Sequence, residues 1–134
     1  MATVLLVDDD SKTRDVLKRR LQVEGYQVVE AGDAAVALAR FREASPDFVM
    51  ADLHLPGTSG EQLIGNLRKE RRSVRIIAIS GAPERLAALS SEEPPIRTLV
   101  KPFTSEQLLE ALGAALTDSA PWSPIAWLRR LLRV

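Results

Sequence analysis

The chain has no cysteine. Disulfides, thiolate metal sites and thiol catalysis are therefore excluded. It also has no net charge, because 18 basic side chains balance 18 acidic ones. Nucleic-acid binding driven by global charge has no support from that balance, and no direct nucleic-acid contact is expected. No apolar stretch approaches the roughly 20 residues needed to cross a bilayer. The first residues run almost directly into strand-like sequence, Thr3-Val4-Leu5-Leu6-Val7, with no basic region leading into an apolar signal segment. A cytoplasmic location is the resulting expectation. What is present is ordinary globular composition: 134 residues, 46% apolar and 27% charged, suit one domain with a real core.

Apolar runs rich in β-branched residues alternate with helical patterns. Thr3 to Asp8 reads as a buried strand. Ser11 is placed to cap a helix of about 14 residues, ended by Gly25, with Val16, Leu17, Leu21 and Val23 as its inward candidates. Tyr26 to Glu30 is a second strand. Asp33 caps a helix carrying Val36, Ala37, Leu38 and Phe41. Pro46 restarts the chain into a strand ending at Asp52. Gly60 opens a helix with Leu63, Ile64 and Leu67 on one face, and its basic end, Arg68-Lys69-Glu70-Arg71-Arg72, reads as solvated. Arg75 to Ser80 and Thr98 to Lys101 are the last two strands. Between them Pro83 can start a helix that Pro94-Pro95 must end. Only Leu86 and Leu89 anchor it strongly, so it is expected to be the most mobile helix. Thr104 and Gln107 form a capping-box pattern before a stripe of Leu108, Leu109, Leu112 and Leu116.

Near-continuous apolar strands separated by helices predict a parallel sheet covered on both faces. For five strands with right-handed crossovers, the flavodoxin-like (βα)5 order 2-1-3-4-5 is the natural choice. That order brings the ends of the first, third and fifth strands to one sheet edge, and with them Asp8, Asp9, Asp52 and Lys101. Three carboxylates would repel one another in a partly dry cleft unless cations offset them. Lys101 supplies one positive charge, and Mg²⁺ suits the rest because it takes oxygen ligands and shares phosphate oxygens. Asp52 is then a plausible nucleophile toward a phosphoryl group, with Ser80 placed to bind one of its oxygens.

Val7-Asp8-Asp9, Asp52 with Pro56 and Gly60, Ser80-Gly81 and Lys101-Pro102-Phe103 occur in order, each group at or just beyond a strand end. From about Thr3 to Leu116 this resembles the receiver domain of two-component response regulators. The resemblance implies that Asp52 is the phosphoacceptor. Asp9, Asp8 largely through water, Asp52 and the His54 backbone carbonyl would hold Mg²⁺. Ser80 would move toward the phosphoryl group, Lys101 would pair with it, and the Lys101–Pro102 bond would be cis. A histidine kinase or phosphotransfer protein would be the phosphoryl donor. The His54 side chain, two residues after Asp52, either orients or hinders a water or is a solvated loop residue; without His or Cys partners at zinc spacing it is not expected to bind metal. An aspartyl phosphohydrolase would want an acid where His54 stands, so no enzyme is expected beyond loss of the chain's own phosphoryl group.

Thr98 departs from the pattern. The family often carries an aromatic there, three residues before the lysine, so the usual aromatic switch is not expected. Together with Pro94-Pro95 this predicts an atypical surface of helix four, strand five and helix five. A phosphorylation-independent interaction module is the alternative reading. Residues 1–117 are expected to form the receiver domain and 118–134 a linker and amphipathic tail. In the tail Ser123 can cap and Pro124 can begin a helix with Ile125, Leu128 and Leu132 on one stripe, flanked by Trp127, Leu131 and Val134, with Arg129, Arg130 and Arg133 elsewhere. Such a segment is too short to be stable alone. It would be covered by its own domain, by a partner or second copy, or by a membrane surface. Homodimer or partner docking is also open to the helix 4–strand 5–helix 5 face. The chain is either a single-domain regulator or a receiver cut from a longer one.

Overall fold

The computed structural model describes residues 2–89 and 91–118. Its strands are β1 (Thr3–Val7), β2 (Gln27–Ala31), β3 (Phe48–Asp52), β4 (Arg75–Ser80) and β5 (Arg97–Val100). They alternate with the helices α1 (Ser11–Val23), α2 (Ala34–Ala44), α3 (Gly60–Glu70), α4 (Pro83–Ala87) and α5 (Ser105–Asp118). All pairings are parallel and the order is β2-β1-β3-β4-β5. This is the topology the alternation of apolar runs and helical patterns predicts. The period-2 alternation of each strand divides the core in two. Leu5, Val7, Val49, Ala51, Ile76 and Ala78 pack with α2, α3 and α4. Val4, Leu6, Phe48, Met50, Ile77 and Ile79 pack with α1 and α5.

Helix faces follow from that layering, with two corrections. Of the four inward candidates on α1, only Leu17 and Leu21 are buried, while Val16 is 69% and Val23 78% exposed. The helix meets the sheet along one i, i+4 row. Val16, one residue before Leu17, is turned about 100° away into an open groove with Phe103 and Leu108. The cap of α1 is Asp10 rather than Ser11, which is the first helical residue. Asp10 accepts from the Lys12 backbone N–H at 3.1 Å and from the Thr13 hydroxyl at 2.7 Å. Its carboxylate has an acceptor for each donor, which a single hydroxyl at Ser11 could not match. Asp33 caps α2, as expected, by accepting from Val36 N–H at 2.8 Å. The Thr104–Gln107 capping box closes α5, with contacts of 2.8 and 3.1 Å.

The basic end of α3 is not simply solvated. Arg68 is half-buried and its guanidinium donates to the Pro94 carbonyl at 2.8 Å and the Pro95 carbonyl at 3.4 Å. Arg71 donates to the Pro46 carbonyl at 2.5 Å and lies 4.8 Å over the Phe41 ring. These two arginines satisfy carbonyls in proline-containing loops, where the proline ring supplies no N–H of its own. The short α4 buries Leu86, and Leu89 follows just beyond its end, as expected. Helix α5 runs on to Asp118. The Leu116 side chain and the tail of residues 119–134 lie outside the described residues. Among the described residues, no helix is long and apolar enough to cross a membrane.

Candidate functional site

The register of the sheet assembles the site. Val7 pairs with Ala51, Asp52 with Ile79 and Ser80 with Val100, so these strands end at one edge. Asp8 follows β1 and Lys101 follows β5 there. Asp8, Asp52 and Ser80 are the buried polar side chains of the described residues, against an otherwise apolar core. Asp9 and His54 are exposed.

The Lys101 ammonium is bonded to Asp52 Oδ2, and the other oxygen, Oδ1, accepts the His54 backbone N–H at 2.8 Å. Lys101 Nζ also lies 3.9 Å from Asp8 Oδ2. Burial works against the Lys101 ammonium, but the hydrogen bond and charge of Asp52, with Asp8 and Asp9 behind it, hold its pKa above the ordinary value. Asp8 is pushed the other way for a carboxyl. Burial raises its pKa, and repulsion from Asp52 adds to that against the Asp10 N–H and Lys101, which lower it. Asp8 Oδ1 accepts Asp10 N–H at 2.9 Å, whereas Oδ2 is buried and accepts no hydrogen bond.

An orphaned buried carboxylate oxygen, repelled by a neighbouring carboxylate, is the donor expected to welcome a hard cation. The residues present therefore fit Mg²⁺, with Asp8, Asp9, Asp52 and the His54 carbonyl as the set that would hold it. Among the described residues no three acidic or histidine side chains are already gathered into a preformed metal cluster.

Ser80 Oγ accepts the Ala82 backbone N–H at 3.0 Å, which leaves its hydroxyl hydrogen for an outside acceptor. Lys101 is set by its own backbone N–H to the Ser80 carbonyl, 2.9 Å, and the Lys101–Pro102 bond is cis as expected. Gly60 has a steric reason. A Cβ there would stand 2.4 Å from Leu53 Cα and 2.7 Å from the Asp52 carbonyl oxygen. Helix α3 thus begins against the backbone of the residue that carries the site.

Two arginines at this edge were not legible beforehand. Arg14 donates to the Asp8 carbonyl at 2.6 Å. Arg85, from α4, donates to the Leu53 carbonyl at 2.9 Å and to both oxygens of Glu61, on α3, at 2.8 and 2.5 Å. Glu61 and Arg85 are 24 positions apart, and nothing in their local sequence signals the pairing.

Residues 4–113 match the family model described as the response regulator receiver domain. The chain belongs to that family. As a receiver domain of two-component response regulators it has curated relatives about twice its length. It is 32% identical over 127 residues to the phosphate regulon transcriptional regulatory protein PhoB of Pseudomonas aeruginosa, covering 89% of this chain and 53% of PhoB. It is 32% identical over 121 residues to the sensory transduction protein RegX3 of Mycolicibacterium smegmatis, covering 90% and 53%. The chain thus spans about half the length of these relatives. Among solved structures, response regulator TrrA of Thermotoga maritima, in complex with Mg²⁺ and BeF, superposes with a TM-score of 0.79 at 33% identity, covering 87% of this chain and 100% of TrrA. The Vibrio cholerae chemotaxis protein CheY4 superposes with the same TM-score at 31% identity, covering 87% and 99%.

Proposed function

We propose that this receiver domain accepts a phosphoryl group on Asp52 and signals through protein contacts. The observation that carries the proposal is the state of Asp52. It is a carboxylate 4% exposed at a strand end, with one oxygen on a lysine and the other on a backbone N–H. A buried carboxylate so held is positioned for attack. A carboxylate oxygen attacks the phosphorus of a phosphohistidine on a histidine kinase or phosphotransfer protein. The O–P bond forms, the P–N bond breaks, and the electron pair leaves with the imidazole nitrogen. Lys101 stays with the growing charge on the phosphoryl oxygens. The Ser80 hydroxyl donates to one of them. Bound at Asp8, Asp9, Asp52 and the His54 carbonyl, Mg²⁺ supplies charge neutralisation for that group. Hydrolysis of the acyl phosphate resets the domain, and a cytoplasmic location suits exchange with a kinase.

The test is binding of beryllofluoride with Mg²⁺, followed by amide resonances. Shifts centred on Leu53, His54, Ser80 and Gly81 are expected, and none in Asp52→Asn. A parent protein that does not respond overturns the proposal. One observation favours a second reading. Thr98 is exposed on β5, where an aromatic side chain would be needed for the usual rotamer switch. A phosphorylation-independent interaction module would bind its partners equally well as parent, as Asp52→Asn and with beryllofluoride. Dependence of capture on any of the three removes that reading.

A further inference from the structure

Arg85 holds an unusual position for a surface cation. Its guanidinium, on α4, donates to the carbonyl of Leu53, the residue after Asp52, while two of its N–H groups are taken by Glu61. Both side chains are about one-third exposed, at 33% and 34%. The Glu61 hydrogen bonds hold Arg85 protonated, and the Asp52 charge adds to them. The same bonds hold the Glu61 carboxyl below its ordinary pKa, so the pair is ionised at neutral pH. Lys101 is already spent on Asp52 and Asp8. Arg85 is therefore a further cation at this edge, held on a carboxylate of another element.

We propose that Arg85 is a reserve phosphoryl-binding residue, held by Glu61 until phosphorylation of Asp52 draws the guanidinium across. The inference rests on the phosphoacceptor reading of Asp52. A phosphoryl group brings a charge of about −1.5 to −2 and three acceptor oxygens. Guanidinium matches such a group in a two-pronged geometry that an ammonium cannot. Glu61 offers one negative charge and is partly screened by water. The exchange unties α4 from α3 and ties it to the phosphoryl group. Because α4 is short and held mainly by Leu86, with Leu89 just beyond it, one guanidinium is a large share of its anchorage. It gives the domain a way to report phosphorylation that does not need an aromatic at Thr98.

The full chain, titrated with beryllofluoride in saturating Mg²⁺, separates this role from a merely structural clasp. Arg85→Gln and Glu61→Gln both break the clasp. If the clasp is structural, both variants weaken binding alike. If Glu61 competes with the phosphoryl group for Arg85, the two move in opposite directions. Arg85→Gln is expected to weaken the probe about tenfold and Glu61→Gln to tighten it several-fold, the scale of one partly solvated charge-assisted contact. Arg85→Lys, keeping charge without the fork, is expected to fall between parent and Arg85→Gln. Hydrogen exchange across 83–89 is expected to change with the probe in the parent and not in Arg85→Gln. Parent binding with both Gln variants equally weakened, or both unchanged, overturns the inference alone. A parent that does not bind the probe overturns the phosphoacceptor reading and this inference with it.

Discussion

Replacing Asp8 by asparagine is expected to stabilise the metal-free protein at neutral pH and to blunt its response to Mg²⁺. Asp8 is 2% exposed, and its Oδ2 accepts no hydrogen bond. Among the described residues, the cation paired with that oxygen is Lys101, at 3.9 Å, and Lys101 is bonded to Asp52 instead. Burial first, and then Asp52, raise the Asp8 pKa above its unfolded value. The folded state therefore binds the Asp8 proton more tightly than the unfolded state does. Stability from this group is greatest below the unfolded pKa and falls as pH rises through the raised folded pKa. At pH 7 this buried carboxyl is therefore a net loss. A buried acceptor without a partner costs about 1–3 kcal/mol. Asparagine keeps the Asp10 contact but brings an amide of its own to satisfy, so a gain of about 1 kcal/mol is expected, or about 3–6 °C in Tm for a domain of this size. Urea and thermal melts in EDTA measure it. Saturating Mg²⁺, at about 100 times its Kd, should then stabilise the parent by about 2.7 kcal/mol and the variant by much less. A variant no more stable than the parent in EDTA at pH 7, with a parallel pH profile, would refute the reasoning.

Gly60→Ala is expected to cost about 3 kcal/mol in urea melts, since its Cβ meets backbone rather than a movable side chain; a loss under about 1 kcal/mol would mean α3 can slide. Lys101→Gln leaves the Asp52 carboxylate without its ammonium, so a destabilisation of about 1.5–3 kcal/mol at pH 7 is expected, together with loss of beryllofluoride binding. On α1, Leu21→Ala should cost about 3 kcal/mol, whereas Val16→Ala should stay within about 0.5 kcal/mol. Equal losses at the two positions would restore the inward face that Val16 was first assigned.

Sheet order and the convergence of Asp8, Asp52, Ser80 and Lys101 were legible because they rest on strong, local signals. The strands β1, β3 and β4 are apolar on both faces and run into Asp8, Asp52 and Ser80, Lys101 follows β5, and parallel order then leaves one edge for all four. Which valines of α1 face inward was not legible. Val16 and Leu17 are equally apolar, and only the single row of contact with the sheet separates them. The cap was misplaced because Asp10 and Ser11 are both good caps and the choice is made by Thr13, whose hydroxyl adds a second bond to Asp10. Arg68, Arg71 and Arg85 were invisible as structural residues for a different reason. Their partners are carbonyls or carboxylates 24 to 32 positions away, brought near only by the fold. Composition shows a basic run; it does not show which of its members finds an unpaired carbonyl.

Incubation with Mg²⁺ and a small phosphoryl donor such as acetyl phosphate, followed by intact mass and peptide mapping, tests the central claim most directly. The expected result is a gain of one phosphoryl group on the peptide containing Asp52, dependent on Mg²⁺ and absent in Asp52→Asn. No gain in the parent, or an equal gain in Asp52→Asn, would contradict it.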